Sequence, residues 1–286
     1  MPQSFSGMRL GLVVGSGSVK CAAVLGLMEV LQREDICPQL FVGCSAGSIY
    51  AAAFALGKDV NEIKEMTRKL WTREITARRR RRAWLEVLLP GVFGFSERFG
   101  MIDDRLVMER LHRAFGPKTF DNTRLPLFIT ATDFHNGGQV VLNGGSVVDA
   151  IRASIAMPYI FAPHPVGDRL LVDGFLSDPM PVGVAIREGA DVILAMGFDS
   201  PYQSRIRSLP RYSFQVSSIM SNNLFKANFA FHNLAHHSEV IPIVPEFEER
   251  IRLFDTDKIP HIVEAGRRAT EMQIPYLRRL LARTES

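Results

Sequence analysis

LFVGCSAGSI, residues 40–49, is the stretch that decides the fold of this 286-residue chain. Its first three residues predict a short buried strand, GCSAG at residues 43–47 predicts a sharp turn, and the alanine-rich residues 49–56 predict a helix. A serine on such a turn projects from the edge of the sheet, and it needs small neighbours to avoid clashes. The start of the helix also places free N–H groups beside it. We therefore predict that Ser45 is a nucleophile; the alternative is a turn that serves packing alone.

The first strand of the fold lies upstream of this turn. Residues 8–14 form a short apolar run that leads into a glycine loop, and apolar residues then recur at helical spacing between Ala22 and Leu31. The order strand, loop, helix, strand, turn, helix predicts an α/β fold with a mainly parallel central sheet and right-handed crossovers.

A helical insertion is predicted between the sheet elements. Residues 61–115 are mostly helical and charged in pattern and are interrupted by an apolar stretch, which is typical of a cap over a binding site. The sheet resumes at residues 127–132, where Asn136-Gly137-Gly138 predicts a hairpin turn to residues 139–142.

The remainder predicts a C-terminal extension of the same domain. Residues 200–286 are mainly helical in pattern, with a further strand predicted at residues 239–244, and residues 259–281 predict a closing helix with a kink near Pro275. The chain is therefore predicted to be a single domain, residues 1–286, that carries a cap and this extension.

Composition describes an ordinary globular protein with a basic balance. Hydrophobic residues make up 47% and charged residues 22% of the chain, which excludes global disorder. The net charge of +4 suits an anionic membrane surface or nucleic acid, but no nucleic-acid-binding motif is present. Three cysteines lack metal-ligand spacing, and the sequence contains neither a leader nor a long apolar run. These features predict a cytoplasmic protein without a metal site, either soluble or peripheral at the inner face of a membrane.

A second motif, GSGSVK at residues 15–20, follows the first strand. Backbone N–H groups in a loop at the start of a helix can hold an anion, which predicts an oxyanion hole; the alternative is a tight turn. The residues predicted to form this hole are Gly15, Ser16, Gly17 and Ser18. The motif fits neither a dinucleotide fingerprint, because its sixth position is Lys20 instead of glycine, nor a Walker-type phosphate loop.

The third motif is Asp173-Gly174, which follows the apolar residues 170–172. An Asp-Gly pair by itself usually indicates only a turn. Because this pair ends a predicted strand, its carboxylate is expected at the same sheet edge as Ser45. Asp173 is then predicted to act as the base that activates the serine.

With the three motifs in this order, the sequence resembles bacterial members of the patatin-like phospholipase family, in particular its neuropathy-target-esterase-like branch. Lys20, GCSAG and Asp173-Gly174 match in order and spacing, as does RASIAMP at residues 152–158, and the similarity runs from about Leu10 to about Ser200. The resemblance implies a three-layer α/β/α patatin-like fold with a helical cap. It implies a Ser–Asp dyad without histidine, no cofactor, no calcium and ester substrates with acyl chains. It also implies supporting roles for Lys20, Gly43, Gly47 and Gly174.

The glycine loop departs from the family pattern. Members of the family usually have glycine where this chain has Ser16, Ser18 and Cys21, and a small residue in place of Phe175. A serine keeps the N–H donor, but it makes a positive φ costly. The geometry of the oxyanion hole is therefore the feature that these changes affect most.

Four late histidines test the dyad. A conventional triad places its histidine after the acid, so the nominal candidates are His232, His236, His237 and His261. None of them sits in an obvious loop after a late strand, and the first three share a helical, aromatic stretch. All four are predicted to be structural, as are Asp149 and Asp178.

A basic and aromatic patch precedes the apolar part of the insertion. Its residues are Arg78, Arg79, Arg80, Arg81, Arg82 and Trp84. One interpretation is attachment to anionic lipid, and the other is a solvated helix face.

These observations favour a lipid acyl hydrolase, either a phospholipase A or a lysophospholipase, that works through an acyl-enzyme on Ser45. Two alternatives on the same fold remain open: a catalytically weak lipid-binding or regulatory protein, and an acyltransferase. The expected partners are an acyl-ester substrate such as a phospholipid and an anionic membrane surface, without nucleic acid.

Overall fold

The computed structural model describes residues 8–70, 72, 74–77, 80, 83–199, 206–207, 209–235, 238–252 and 255–282. Its strands are β1 (Leu10–Val14), β2 (Leu40–Cys44), β3 (Leu127–Asp133), β4 (Gln139–Leu142), β5 (His164–Val166), β6 (Arg169–Asp173), β7 (Val192–Met196) and β8 (Glu239–Ile243). Its α-helices are α1 (Ala23–Arg33), α2 (Ala46–Ala55), α3 (Val60–Leu70), α4 (Glu74–Ala77), α5 (Ala83–Leu88), α6 (Pro90–Phe93), α7 (Arg105–Phe115), α8 (Val147–Ser154), α9 (Val182–Arg187), α10 (Leu209–Ala235), α11 (Ile259–Glu271) and α12 (Ile274–Ala282). Short 3-10 helices lie at Ser18–Ala22, Phe120–Asn122, Gly174–Leu176 and Thr256–Lys258.

The strands form one mixed, mostly parallel sheet in the order β5-β6-β3-β2-β1-β7-β8, with β4 paired to β3. Strands β3, β2, β1, β7 and β8 run parallel. Strands β4, β5 and β6 form the antiparallel part. The parallel strands bring their carboxyl ends to one edge, which confirms the predicted fold class and places the end of β2 there.

Helices cover both faces of this sheet. On β1, Leu12 and Val14 belong to the larger core cluster, to which α1, α2, α8 and α11 contribute. Val13, between them, belongs to a smaller cluster with side chains of α9 and α10. Because alternate residues of a strand point to opposite faces, these two clusters are the two interfaces of a three-layer α/β/α arrangement.

Strands β2 and β6 meet end to end along one side of β3. Both β2 and β4 pair with overlapping residues of β3, and so do β6 and β4. A strand has only two hydrogen-bonding sides, so β4 takes one side and β2 and β6 share the other. Cys44 at the end of β2 and Asp173 at the end of β6 pair with the consecutive residues Thr130 and Ala131. The carboxyl ends of the two strands therefore face each other.

The structure differs from the sequence-based expectations at two places. Strand β5 was not predicted; it forms a hairpin with β6 around Gly167, whose φ is +61°. The closing segment is two helices instead of one kinked helix, and Pro275 lies in the first turn of α12, where its missing N–H costs nothing. The strand predicted at residues 239–244 is confirmed as β8, which pairs with β7, while the division into domain, cap and extension stays a prediction.

Helix α11 packs closely against α1 through glycines. A Cβ added to Gly26 of α1 would overlap the carbonyl oxygen of Val263, and one added to Gly266 of α11 would overlap that of Ala23. We expect Gly26→Ala to lower the free energy of unfolding by about 1–3 kcal/mol, because the two backbones would have to separate. Gly91→Ala is the control, since no atom lies within 4 Å of its added Cβ. Chemical denaturation of both variants checks this, and equal midpoints for the two would contradict it.

Candidate active site

Ser45 sits on a strained turn between β2 and α2. Its φ of +54° and ψ of −132° are unfavourable for a residue with a side chain, and the surrounding structure must hold it there. Gly43 and Gly47 permit this turn. A Cβ on Gly43 would overlap Ser48, and one on Gly47 would overlap the carbonyl of Val14. Both predicted supporting glycines thus lie where backbone segments come too close for a larger residue.

The side chain of Ser45 meets that of Asp173. The Ser45 hydroxyl donates to Oδ2 of Asp173 at 2.7 Å, and the N–H of Phe175 donates to Oδ1 at 3.1 Å. Ser45 is 6% exposed and Asp173 is fully buried. Burial raises the pKa of Asp173 to about 7, although both hydrogen bonds favour the ionised form. The pair therefore joins a hydroxyl to a carboxylate that can exchange a proton near neutral pH.

Gly174 allows Asp173 to approach the serine. A Cβ on Gly174 would lie 2.5 Å from the carbonyl oxygen of Thr130 and 3.0 Å from Sγ of Cys44. The hydroxyl of Thr132 donates to the carbonyl of Asp173 at 2.9 Å. The end of β6 is thereby fixed against the end of β2.

The carboxyl end of α8 holds both members of the pair. The hydroxyl of Ser154 accepts the N–H of Ser45 at 2.8 Å and donates to the carbonyl of Thr130 at 2.7 Å. Two residues later, the carbonyl of Ala156 accepts the N–H of Asp173 at 3.1 Å. Ser154 is fully buried. Sequence reasoning placed Ser154 only within a family motif and gave it no role, because its partners are distant in sequence.

Arg152, on the same helix, joins this region to the insertion. Its guanidinium is 1% exposed and donates to Asp104 at 2.8 Å and to the carbonyl of Ala162 at 2.9 Å. Asp104 immediately precedes α7. Residues 152–156, at and directly after the end of α8, therefore contact the serine, the acid and the inserted segment.

The glycine loop does not offer all of its amides to a substrate. The N–H of Gly15 donates to the carbonyl of Met196 at 2.9 Å, and that of Ser16 donates to the carbonyl of Pro179 at 2.8 Å. Gly17, which lies against the ring of Phe198, has no such backbone partner among the described residues. The expectation of an oxyanion hole therefore no longer includes the amides of the first two residues.

Ser18 has an unusual backbone conformation in this loop, and Lys20 holds the loop in place. Ser18 has a φ of +54°. This is the positive φ that is costly for a serine in place of the family's usual glycine. The ammonium of Lys20 donates to the carbonyl of Asp199 at 2.6 Å and lies 5.9 Å from the centre of the Phe198 ring. Burial lowers its pKa. The hydrogen bond of Lys20 thus holds the glycine loop against the segment that follows β7.

No histidine in the described part of the chain bonds to Ser45 or Asp173. His164 pairs with Asp149 at 3.0 Å and His135 with Glu97 at 3.2 Å, while His261 lies on α11. The backbone of His232 belongs to α10. The predictions on His236 and His237 fall outside the described residues. The described residues also contain no cluster of metal-ligating side chains.

The predicted basic patch is described only in part. Arg80 is bonded inward, to Glu86 at 3.1 Å and to the carbonyl of Gly100 at 3.1 Å, so it is no free surface charge. Trp84 lies on α5. The residues of the patch that fall outside the description are Arg78, Arg79, Arg81 and Arg82. None of the helices described here has the length and apolarity that a membrane crossing requires.

A model of one protein family, patatin-like phospholipase, matches residues 12–186, which is more than half of the chain. An uncharacterized NTE family protein from Mycobacterium tuberculosis is 28% identical over 194 residues, which is 68% of this chain and 50% of that protein. Patatin-like phospholipase domain-containing protein 6 from Mus musculus is 26% identical over 198 residues, covering 68% of this chain and 14% of that protein. The chain thus spans about half the length of the mycobacterial relative and less of the mouse relative.

Among solved structures, VipD from Legionella pneumophila is similar to this chain, with a TM-score of 0.51 at 13% sequence identity. The match covers 94% of this chain and 67% of VipD. At this level of identity the likeness concerns the fold.

Ser154→Ala tests whether Ser154 positions Ser45, the predicted nucleophile. The change leaves the N–H of Ser45 without its partner, and the strained turn loses a restraint. We expect labelling of Ser45 by a fluorophosphonate probe to slow by roughly tenfold or more, because small displacements of reacting groups are costly.

Ser146→Ala is the matched control. It removes a hydroxyl from the other end of α8, where Ser146 caps the helix by accepting the N–H of Asp149 at 3.2 Å. We expect it to cost about 1 kcal/mol of stability and to leave the labelling rate unchanged. Equal labelling rates for the two variants would show that Ser154 acts only through stability.

Proposed function

The chain belongs to the patatin-like phospholipase family, which supports a lipid hydrolase activity in general terms, and we propose that it cleaves carboxylic esters of phospholipids or lysophospholipids through a Ser45–Asp173 dyad. The observation that carries this proposal is the 2.7 Å hydrogen bond from the Ser45 hydroxyl to a buried carboxylate. A hydroxyl is a weak nucleophile unless an adjacent base removes its proton. Here the base is already in hydrogen-bonding contact with it.

The proposed first step forms an acyl-enzyme. The Ser45 oxygen attacks the ester carbon while its proton passes to Oδ2 of Asp173, which gives a tetrahedral oxyanion. When the intermediate collapses, the bond to the alcohol breaks and the departing oxygen takes the proton from Asp173. The released product is the alcohol, such as a lysophospholipid, and the acyl group stays on Ser45.

The second step reverses these roles with water. Ionised Asp173 takes a proton from a water molecule, whose oxygen attacks the acyl carbon. Collapse returns that proton to the Ser45 oxygen and releases a fatty acid. The same carboxyl therefore serves as base and acid in both half-reactions, for which a pKa of about 7 is well suited.

The proposed oxyanion hole combines two segments. The N–H of Ala46 is at the first turn of α2, where backbone donors have no partner within the helix. Gly17 supplies the donor from the glycine loop, since the amides of Gly15 and Ser16 are bonded to backbone carbonyls. Donors from a helix start and a loop of the protein stabilise the developing negative charge without reorganising.

One observation favours the alternative of a catalytically weak protein. Ser18 holds a φ of +54°, a conformation that glycine adopts at little cost. If this loop limits turnover, Ser18→Gly raises the rate of ester hydrolysis above that of the unchanged protein. An acyltransferase would instead give a new ester when a lysophospholipid acceptor is added to the reaction.

Hydrolysis of p-nitrophenyl butyrate tests the dyad. We expect Ser45→Ala and Asp173→Asn each to lower kcat/KM by at least about a thousandfold, since nucleophile and base act as a unit. Asp168→Asn, a change of an exposed residue in the turn between β5 and β6, is the matched control and should retain full activity. Undiminished hydrolysis by Ser45→Ala would remove the proposed nucleophile. A similar loss on changing a single late histidine would require a triad.

The pH dependence tests the state of Asp173. Because the base must be ionised, kcat/KM for this uncharged ester is expected to rise with pH through a midpoint near 7. A midpoint near 4, the ordinary value for an aspartate, would contradict the assignment.

Stability provides an independent readout of the same group. The pKa of Asp173 is about 7 in the folded protein and 3.8 ordinarily, so the folded state favours the protonated carboxyl. The contribution of this carboxyl to stability is therefore complete below pH 4 and is lost as the pH rises to 7. Asp173→Asn does not ionise. We therefore expect its thermal stability relative to the unchanged protein to increase between pH 4 and pH 8, by at most about 4 kcal/mol. A difference that is constant over this range would contradict the prediction.

A further inference from the structure

Two elements expose apolar side chains to an unusual degree. The first is the segment of α5 and α6, here called the tip, whose side chains are between 41% and 75% exposed. They are Leu85, Val87, Leu88, Leu89, Val92 and Phe95. No described residue of α6 is buried. Contiguous exposed apolar surface marks an interaction site, because water alone does not favour it.

The second element is the N-terminal half of α10, which exposes apolar side chains and buries polar ones. Its exposed side chains, here called the α10 stripe, are Tyr212, Val216, Ile219 and Met220, between 37% and 65% exposed and spaced to share one helix face. On the buried side lie Ser218, Ser221 and Asn222, at most 7% exposed. A helix that packs on a protein core shows the opposite distribution.

The α10 stripe extends beyond the sheet edge that carries Ser45. The ring of Phe225 packs on Gly197, which directly follows β7, so α10 is level with the carboxyl edge at that point. Helix α10 leads into β8, which runs parallel to β7 and so begins at the opposite edge of the sheet, and the residues after Phe225 therefore run back along the sheet. The sixteen residues of α10 before Phe225, about 24 Å of helix, extend beyond the carboxyl edge. Helix α10 also lies against the 3-10 helix Gly174–Leu176 that follows Asp173. The stripe therefore flanks the entrance to the site.

The tip is anchored at the same edge. The N–H of Arg80 donates to the carbonyl of Met101 at 2.8 Å, and the N–H of Met101 donates to the carbonyl of Tyr159 at 2.9 Å. Tyr159 lies three residues after Ala156, whose carbonyl accepts the N–H of Asp173. The stripe thus belongs to a helix that contacts the segment directly after Asp173, and the tip is linked to Asp173 through Met101 and residues 156–159.

Charge identifies the occupant of this surface. Residues 78–95 and α10 together contain seven lysines and arginines and one acidic residue, Glu86, which pairs with Arg80. Their net positive charge exceeds the +4 of the whole chain, so the remainder is net acidic. A second copy seated symmetrically on this surface would bring two basic segments together. An anionic bilayer attracts them and accepts the apolar side chains.

We propose that the tip and the α10 stripe form one surface that inserts into an anionic lipid bilayer, with the entrance to the Ser45 site between them. This inference rests on the proposed function, since it states how the enzyme reaches a substrate that is embedded in a membrane. Apolar insertion supplies the binding energy, and the net positive charge of residues 78–95 and α10 supplies the attraction to anionic lipid. It extends the basic patch predicted from the sequence by assigning the contact to apolar residues on two elements.

Sedimentation with vesicles tests the surface separately from catalysis. Binding is measured in the Ser45→Ala background, so that no lipid is consumed, with vesicles of phosphatidylcholine containing 30% phosphatidylglycerol. We expect Leu88→Gln/Val92→Gln in the tip and Ile219→Gln/Met220→Gln in the α10 stripe each to weaken binding at least tenfold. Glutamine leaves the charge unchanged, and all four positions are exposed, so folding is not expected to suffer. Met272→Gln, at a 77% exposed methionine after α11, is the control and should bind normally.

Activity, measured with Ser45 intact, gives a second readout. Both double variants are expected to lose hydrolysis of phosphatidylglycerol vesicles at least tenfold more than hydrolysis of soluble p-nitrophenyl butyrate. Normal vesicle binding by both double variants would overturn the proposal. A dimer of the unchanged protein in light scattering that both double variants dissociate would also overturn it, because the surface would then bind a second copy of the chain. Absent hydrolysis of the soluble ester by the unchanged protein would instead refute the proposed function and leave the binding result standing.

Discussion

The end-to-end meeting of β2 and β6 on β3 is the constraint on which the site depends. It places Cys44 and Asp173 opposite consecutive residues of β3 and leaves Ser45, the residue that follows β2, beside the carboxylate. The backbone there is tight enough that Gly174 admits no side chain and Ser45 must hold a positive φ. The sheet therefore positions both groups through main-chain hydrogen bonds instead of flexible side chains.

A second layer of contacts preserves this arrangement at the cost of burying polar groups. Ser154 and Ala156 restrain the backbones of Ser45 and Asp173, and Thr132 holds the carbonyl of Asp173. The buried hydroxyls of Ser154 and Thr132 are both hydrogen-bonded, as a low-dielectric interior favours. The carboxylate of Asp173 also accepts two hydrogen bonds, but they do not compensate for the water that it lost on burial, and its pKa is therefore raised. The raised pKa of Asp173 and its unfavourable burial have the same physical origin, the loss of water around the carboxylate.

The parts of the fold that carry local signals could be predicted from the sequence. The apolar runs before Gly15 and Gly43 predicted β1 and β2, and the turn at Ser45 was predicted from its small neighbours. The apolar run before Asp173 predicted a strand but not its antiparallel direction, which the hairpin with β5 sets. The Gly167-Asp168 pair between them was the local signal that could have revealed that hairpin. Partners from distant segments, such as Ser154 for Ser45 and Met196 for Gly15, have no local signal.

The pKa of Asp173 has a consequence for where such a site works best. An anionic surface at about −30 mV concentrates protons roughly threefold, which lowers the local pH by about half a unit. At a bulk pH of 7, the ionised fraction of a carboxyl with a pKa of about 7 then falls from one half to about one quarter. For the proposed membrane surface, lipid charge would thus act in two opposite ways, since the lipids that attract basic residues also protonate the buried carboxylate. The proposal therefore implies that a bilayer of intermediate negative charge gives the highest turnover.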